Sequence, residues 1–246
     1  MTILVTNDDG NTIGLRILLE AAKQSGDAYA LYPHKQQSAV SKSLTLHKVL
    51  RLHAIEDGMH ELSGTPADCV LFSIYSKEFK KPDLVLSGIN FGDNTSLDAI
   101  LSSGTIGACW EAVTQGIPAI AFSMLRLSKD WHNLKNWGEI ELLKQKTIEI
   151  IKALKPRLRP DCFYSVNFPN DFAGSKIVFI DKLQRTRFHV NIEKRLDPSN
   201  HPYYWLAGDF SKCDQNTDTY EVLTNKNIAI TEISLKSFDM NNRKSD

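Results

Sequence analysis

Short apolar runs alternate with amphipathic helical patterns through the first two thirds of the chain. Four of these runs are bounded by turn-forming residues and predict buried strands: Ile3–Thr6, Ala28–Tyr32, Leu84–Ser87 and Ala119–Ser123. Four segments between or after them predict helices: Ile13–Gln24, Ala67–Ser76, Ile106–Gln115 and Trp137–Leu154. Apolar strands that alternate with helices are typical of parallel βαβ units. The pattern therefore predicts an α/β fold of three layers, Rossmann-like, with a mostly parallel sheet.

The pattern changes after Pro160, where short strand-like pieces are separated by polar loops. These pieces are Tyr164–Asn167, Lys176–Ile180, Tyr203–Leu206 and Ile228–Ile233. We expect residues 1–160 to form the α/β core that carries the candidate site. Residues 161–240 are expected to add an antiparallel C-terminal extension to the same domain, and residues 241–246 to form a frayed tail. Earlier, Lys48–Leu62 predicts a hairpin with its turn near residues 56–58.

The extension contains one apolar-aromatic strand, Tyr203–Leu206, between polar loops. Such a strand is buried more readily against a partner subunit than by the extension alone. We therefore expect the C-terminal extension to build a homo-oligomer.

Two adjacent carboxylates, Asp8 and Asp9, follow the first predicted strand directly. In an open α/β sheet, ligands bind beyond the carboxyl ends of the strands. Neighbouring carboxylates repel each other unless a cation holds them, and hard oxygen ligands suit Mg²⁺, Mn²⁺ or Ca²⁺. This segment therefore indicates a metal site at the edge of the sheet. The alternative is a plain surface turn, since Asn, Asp and Gly are the usual turn formers.

Three further loops carry candidate ligands. The loop after Leu84–Ser87 offers the amide of Asn90 as a neutral metal ligand and Asn94 as a substrate contact, although such side chains often cap local backbone instead. The loop after Ala28–Tyr32 offers the hydroxyl of Ser38. The segment Ser103-Gly104-Thr105 precedes a predicted helix, where free N–H groups and two hydroxyls favour phosphate; an ordinary N-cap is the alternative.

Composition narrows the classes of function. The 29 basic and 29 acidic residues balance, which removes the usual electrostatic reason for binding a long nucleic acid but leaves room for a mononucleotide. The four cysteines form no C-x-x-C pair, so a zinc site or disulfide framework is not expected. The sequence has no signal-peptide pattern and no apolar stretch of membrane-spanning length, so we expect a cytoplasmic protein that does not contact a membrane. Walker A, G-x-G-x-x-G and G-x-S-x-G motifs are absent from it.

Several motifs in a fixed order resemble the SurE family, the survival-protein 5′/3′-nucleotidases. They cover roughly the first half of the chain and are Asn7-Asp8-Asp9-Gly10, Ser38 with Ser43-Leu44-Thr45-Leu46, residues 64–70, Ser87-Gly88-Ile89-Asn90 with Gly92 and Asn94, and residues 103–108. Looser similarity to the family's swapped C-terminal region continues through residues 165–169, 204–205 and 212–214.

The resemblance implies a metal-dependent nucleotidase, a phosphoric monoester hydrolase acting on nucleoside 5′- and 3′-monophosphates, that forms homodimers or homotetramers. It places one Mg²⁺ or Mn²⁺ per subunit on Asp8, Asp9, Ser38 and Asn90, with the two aspartates as the catalytic residues. It places the phosphate near the loop of Ser103, Gly104 and Thr105.

The sequence departs from the family pattern at positions other than these ligands. The loop after Gly10 is one residue short and lacks a proline that is common there. His34 stands where many relatives have Asp, Ser102 replaces a usual Tyr, and Asp130–Glu139 does not resemble the pattern. These departures concern the walls of the base or sugar pocket, hence substrate preference.

Two other classes of protein remain open at this point. A haloacid-dehalogenase-type phosphatase also has an aspartate after its first strand, as a covalent nucleophile in an Asp-x-Asp pattern. The adjacency of Asp8 and Asp9 argues against that class. A non-catalytic nucleotide-binding module could use the same pocket without turnover.

Overall fold

A computed structural model of the chain describes residues 1–126 and 137–238. The strands in this part are β1 (Thr2–Thr6), β2 (Asp27–Pro33), β3 (Leu52–Glu56), β4 (Met59–Leu62), β5 (Leu84–Phe91), β6 (Ala119–Met124), β7 (Cys162–Phe168), β8 (Ile177–Phe179), β9 (Phe188–Leu196), β10 (Pro202–Phe210) and β11 (Ile228–Ser234). The α-helices are α1 (Ile13–Lys23), α2 (Pro66–Tyr75), α3 (Leu97–Ser102), α4 (Gly104–Thr114), α5 (Trp137–Leu154) and α6 (Asp218–Leu223). Two 3₁₀ turns span Lys155–Arg157 and Leu235–Phe238.

Nine of these strands form one sheet in the order β3-β4-β2-β1-β5-β6-β7-β11-β8. The six strands from β4 to β7 run parallel to one another, with β1 and β5 in the middle of these six. β3 pairs antiparallel with β4, and β11 pairs antiparallel with β7. The parallel arrangement brings the carboxyl ends of β1, β2 and β5 to one edge, where the candidate residues lie.

Helices cover both faces of this sheet. On one face, α1 and α5 pack against strand side chains such as Ile3 and Phe122 in one apolar cluster. On the other face, α2 and α4 pack against a second cluster that includes Leu4 and Phe163. Side chains alternate between the two faces along a strand, so the continuous apolar run Ile3–Val5 supplies both clusters. The predicted three-layer α/β fold with a mostly parallel sheet is confirmed.

The strand after Pro160 differs from the sequence prediction. We expected an antiparallel extension there, but β7 pairs in parallel with β6, which makes β6, α5 and β7 a further βαβ unit. The prediction was wrong for the piece Tyr164–Asn167, which lies within a strand, Cys162–Phe168, that is buried along its whole length like the other parallel strands of the core. The predicted antiparallel arrangement does hold for β11 against β7 and for the separate ribbon of β9 and β10.

β5 extends four residues beyond the predicted strand end at Ser87 and includes Asn90. A glycine at position 88 is typical of a turn, but here it lies within the strand. Its φ is +128°, and its Cα lies so close to the carbonyl oxygen of Phe122 that a Cβ would not fit. The pairing of β5 with β6 shifts register between Ser87 and Asn90. This irregularity lets the strand continue while it re-aims Asn90.

The C-terminal segment is tied to the loop after β5 by one buried carboxylate. Asp218, at the first turn of α6, accepts hydrogen bonds from the backbone N–H groups of Ser96 (2.6 Å) and Gln184 (2.9 Å). Its carboxylate therefore fixes the loop that leads into α3 against the residues that precede β9.

Two expectations concern residues beyond the described ranges. Most of the divergent segment Asp130–Glu139 and the whole predicted tail, residues 241–246, lie outside them. Within the described ranges, no helix is both long enough and apolar enough to cross a membrane.

Candidate active site

A cleft of about 310 Å³ opens at the edge of the sheet where β1, β2 and β5 end. Six of the eight candidate residues line it together: Asp8, Asp9, Ser38, Asn90, Asn94 and Ser103. Gln36, Ala39, Phe91, Ala99 and Ser102 complete the lining. The sequence thus brings residues from four separate loops to one point.

Asp8 is almost completely buried at the base of the cleft. Its carboxylate Oδ1 accepts a hydrogen bond from the Thr105 hydroxyl at 2.5 Å, and its backbone carbonyl accepts one from the Gln37 N–H at 2.7 Å. Burial and the neighbouring charge of Asp9 raise the pKa of Asp8 to about 6, against the lowering effect of the Thr105 hydrogen bond. A cation at this place would favour the charged form of the carboxylate.

The turn that carries the two aspartates is held by Asn7. The Asn7 side chain donates to the Gly10 carbonyl at 2.7 Å and accepts from the Gly10 N–H at 3.1 Å. Gly10 has φ +79°, a backbone conformation that favours glycine. Asp9 is half-buried and accepts a hydrogen bond from the Gln36 side chain at 3.1 Å. The segment is therefore a tight turn, and that turn points two carboxylates into the cleft.

Asn90 and Ser38 add neutral oxygens. The half-buried Asn90 donates from its amide nitrogen to the Gly92 carbonyl at 2.6 Å, which leaves its amide oxygen as the atom that can ligate a cation. Ser38 lies in an exposed turn across the cleft.

The loop that carries Ser38 is docked on α4. Lys42 forms an ion pair with the buried Glu111, and the Ser41 N–H donates to the Ser102 carbonyl at 2.8 Å. Gly107 of α4 lies directly beneath the Ser41 carbonyl, where a Cβ would not fit. One helix therefore supports both the Ser38 loop and Asp8.

Asn94 belongs to a buried polar cluster behind the cleft. Its backbone N–H donates to the Asn167 side-chain oxygen at 2.8 Å, and its amide donates to the Ser123 hydroxyl at 2.8 Å. Asn167 in turn donates to Ser165 at 3.1 Å. Because buried polar groups that satisfy one another are strongly oriented, β6 and β7 fix the position of Asn94.

The start of α4 forms the remaining wall. The Ser103 hydroxyl accepts a hydrogen bond from the Ile106 N–H at 3.2 Å, so Ser103 is the N-cap of this helix and also lines the cleft. Gly104 and Thr105 do not line it; they are buried behind Asp8. A Cβ at Gly104 would lie 2.8 Å from the Asp8 Cβ and 2.9 Å from the Gln37 carbonyl oxygen. The helix N-terminus approaches Asp8 this closely only because residue 104 is glycine.

The side chains of the cleft that could bind a metal ion carry only two negative charges. Within residues 1–126 and 137–238, no three His, Cys, Asp or Glu side chains are grouped to hold a metal ion. The cleft instead offers two carboxylates with hydroxyl and amide oxygens, a set suited to a hard divalent cation and unsuited to zinc.

Comparison with known proteins identifies the family to which the chain belongs. The profile of the family described as Survival protein SurE matches residues 3–190. The chain belongs to the SurE family. The 5′-nucleotidase SurE of Pyrobaculum arsenaticum is 39% identical over 243 residues, which cover 96% of this chain and 90% of that protein. The 5′-nucleotidase SurE of Thermofilum pendens is 39% identical over 242 residues, covering 96% and 91%.

A solved structure of the family has the same fold. The crystal structure of the SurE protein from Aquifex aeolicus superposes with a TM-score of 0.80 at 32% sequence identity. The match covers 98% of this chain and 95% of that one.

Sequence reasoning missed parts of this SurE-family cleft. Gln36 gave no signal because a single glutamine in a serine-rich loop is ordinary, yet it contacts Asp9. Ser123 and Asn167 are the last residues of two predicted strands. A polar residue at the end of an apolar run was the feature of the sequence that could have indicated the polar cluster behind Asn94.

Replacing Gly104 by alanine should lower the free energy of unfolding by about 1–3 kcal/mol, because the new Cβ would overlap Asp8 and the backbone of residue 37. Urea denaturation measures this change. Gly174→Ala is the matched control, since a Cβ there meets no atom within 4 Å. Equal stability of the two variants would contradict the close approach of α4 to Asp8.

Proposed function

We propose that the protein is a 5′-nucleotidase that also accepts 3′-monophosphates, and that it hydrolyses nucleoside monophosphates to nucleoside and phosphate with the help of one divalent cation per subunit. The observation that carries the proposal is the convergence of Asp8, Asp9, Ser38 and Asn90 beside the N-terminus of α4. The relatives named 5′-nucleotidase SurE, which align over almost the whole chain, support the same activity.

Asp8, Asp9, Ser38 and Asn90 would hold Mg²⁺ or Mn²⁺. Two like charges lie side by side at the base of the cleft, one of them buried and with its pKa raised to about 6, and this is the environment that a cation relieves. When bound, such an ion polarises a phosphoryl oxygen and lowers the pKa of a bound water. The neutral ligands limit the negative charge that the site presents to a phosphate dianion.

The chain's own residues supply orientation and charge stabilisation. The Ser103 hydroxyl accepts from Ile106, so its proton remains available to a phosphoryl oxygen at the start of α4, where the helix dipole favours negative charge. Thr105 donates to Asp8, so we assign it the role of holding that carboxylate in one orientation rather than of contacting phosphate. We assign Asn94 the role of a substrate contact, because it lines the cleft and Ser123 and Asn167 hold it in one position.

We also propose that the protein is a cytoplasmic homodimer or homotetramer that binds neither long nucleic acids nor membranes. The ribbon of β9 and β10 supports an oligomer, because it pairs with no other strand in the described residues and exposes large apolar side chains. These are Phe188, Val190, Ile192, Leu196, Tyr203, Tyr204, Trp205 and Leu206.

Asp8→Asn and Asp9→Asn should each lower kcat at least about 100-fold while the protein stays folded, because each removes a charge that holds the cation. Phosphate release from a nucleoside monophosphate measures kcat, and circular dichroism checks the fold. Asp57→Asn is the control, since Asp57 is exposed in the turn between β3 and β4.

The same assay after exhaustive chelation should show no turnover, and added Mg²⁺ or Mn²⁺ should restore it. Full activity without metal would contradict the proposed site. Tight nucleotide binding without turnover in the presence of metal would instead identify a non-catalytic binding module.

A nucleoside 5′-monophosphate should be hydrolysed with a higher kcat/KM than ribose 5-phosphate, because binding of the base helps to position the reacting phosphoryl group. Steady-state assays of the two substrates with the same metal measure the ratio. Equal values would indicate a general phosphatase.

Light scattering should give a solution mass at least twice that of the 27.7 kDa chain. Leu206→Lys should reduce that mass, because it places a charge on the most exposed apolar side chain of the ribbon. Tyr75→Lys, at a similarly exposed position at the end of α2, should leave it unchanged. A monomer of the unmodified protein at micromolar concentration would overturn the oligomer proposal.

A further inference from the structure

A second pocket adjoins the candidate active-site cleft. It also measures about 310 Å³ and shares Ala99 and Ser102 of α3 with the cleft. Its other walls are Asp93, Asp98, Arg187 and Phe188, from the loop after β5, the start of α3 and the start of β9. A ligand too large for the cleft can therefore continue over α3 into this pocket.

Phe188 gives the pocket an aromatic wall. It is the first residue of β9 and remains 42% exposed. The Arg187 guanidinium carbon lies 5.1 Å from the centre of the Phe188 ring. An exposed ring beside a guanidinium group is a surface on which a planar nucleobase stacks.

Buried contacts hold this wall in place. Arg187 is 8% exposed and forms an ion pair with the buried Asp93. Asp93 also accepts a hydrogen bond from the Thr95 hydroxyl at 2.5 Å, and the Arg187 backbone N–H donates to Asp98 at 3.3 Å. Because residue 187 is fixed through both its side chain and its backbone, Phe188 is pre-positioned next to α3.

The charges in the pocket select against a phosphate group. Arg187 and Asp93 compensate each other, and Asp98 adds a carboxylate next to the shared wall. A phosphate dianion is therefore directed to the start of α4 and the metal ligands, whereas an uncharged group with N–H or O–H donors suits the second pocket.

We propose that this second pocket is the nucleoside subsite, in which the base of the nucleoside monophosphate stacks on Phe188. The phosphate then occupies the cleft beside Ser103, and the ribose crosses the shared wall of Ala99 and Ser102. This inference rests on the proposed nucleotidase function and adds to it a specificity-determining residue, Phe188, that lies far along the chain from the metal ligands.

The test compares kcat/KM for AMP with kcat/KM for ribose 5-phosphate in full-length variants, with the same metal throughout. Loss of a base–aromatic stack should lower the ratio of the two values about fivefold to 150-fold in Phe188→Ala. Phe188→Tyr should restore the ratio, because tyrosine keeps the stacking face.

Phe179→Ala is the matched control. Phe179 is the last residue of β8 and is also half-exposed, and the Arg157 guanidinium carbon lies 4.5 Å from its ring centre. Phe179 lines neither pocket. This variant should keep the ratio of the unmodified protein within about twofold, which separates stacking of the base from general loss of an aromatic side chain.

Two results would overturn the subsite. One is an unchanged ratio in Phe188→Ala, which includes an equal loss on both substrates. The other is a change of solution mass in that variant, which would assign Phe188 to a subunit interface. If the unmodified protein already shows no preference for AMP, the nucleotidase proposal fails as well. If it prefers AMP and Phe188→Ala keeps that preference, only the subsite fails.

Discussion

The contact between the start of α4 and Asp8 is the constraint on which the rest of the site depends. Asp8 is buried beside a second carboxylate, an arrangement that costs free energy unless each oxygen has a partner. Thr105 supplies one hydrogen bond, and the absence of a side chain at residue 104 lets the helix come near enough to make it. The same helix carries Glu111, which holds the Ser38 loop through Lys42. Two walls of the cleft are therefore supported by one element.

The opposite wall depends on polar side chains that replace apolar ones at the ends of buried strands. Ser123 of β6 and Asn167 of β7 lie in buried strands, and both hydrogen-bond to Asn94. Groups of this kind are costly when unpaired and rigid when paired. Polar contacts thus replace apolar packing near the cleft, and they hold the Asn94 side chain in one direction. The loop after β5 is also held by Asp93, the neighbour of Asn94, which pairs with Arg187, so the loop cannot shift as a unit without breaking buried contacts.

The sequence predicts the core well for a physical reason. Buried parallel strands read as apolar runs, and residues that follow them must meet at one edge of the sheet, which is where Asp8, Asn90 and Ser38 lie. The direction in which a side chain points is harder to predict from sequence than the part of the sheet at which its residue lies. Nothing in the local sequence shows that the Thr105 hydroxyl turns inward to Asp8 while Ser103 faces the cleft, because both hydroxyls suit a helix start. Contacts between residues far apart in the chain, such as the ion pair of Arg187 with Asp93, also could not be predicted, because they depend on the complete fold. The strand Cys162–Phe168 was assigned to the wrong kind of pairing although the helix before it, Trp137–Leu154, was predicted, because the strand that pairs with it is set by the complete fold.

The central position of β1 has a consequence for synthesis of the chain. During synthesis β1 emerges from the ribosome before its two neighbours, and one of them, β5, starts only at Leu84. Until that residue has been made, the apolar strand Ile3–Val5 has one open edge, and Asp8 lacks the helix that covers it. An unpaired apolar edge invites association with other chains. We therefore expect the incomplete chain to be most prone to association before β5 is available to pair with β1.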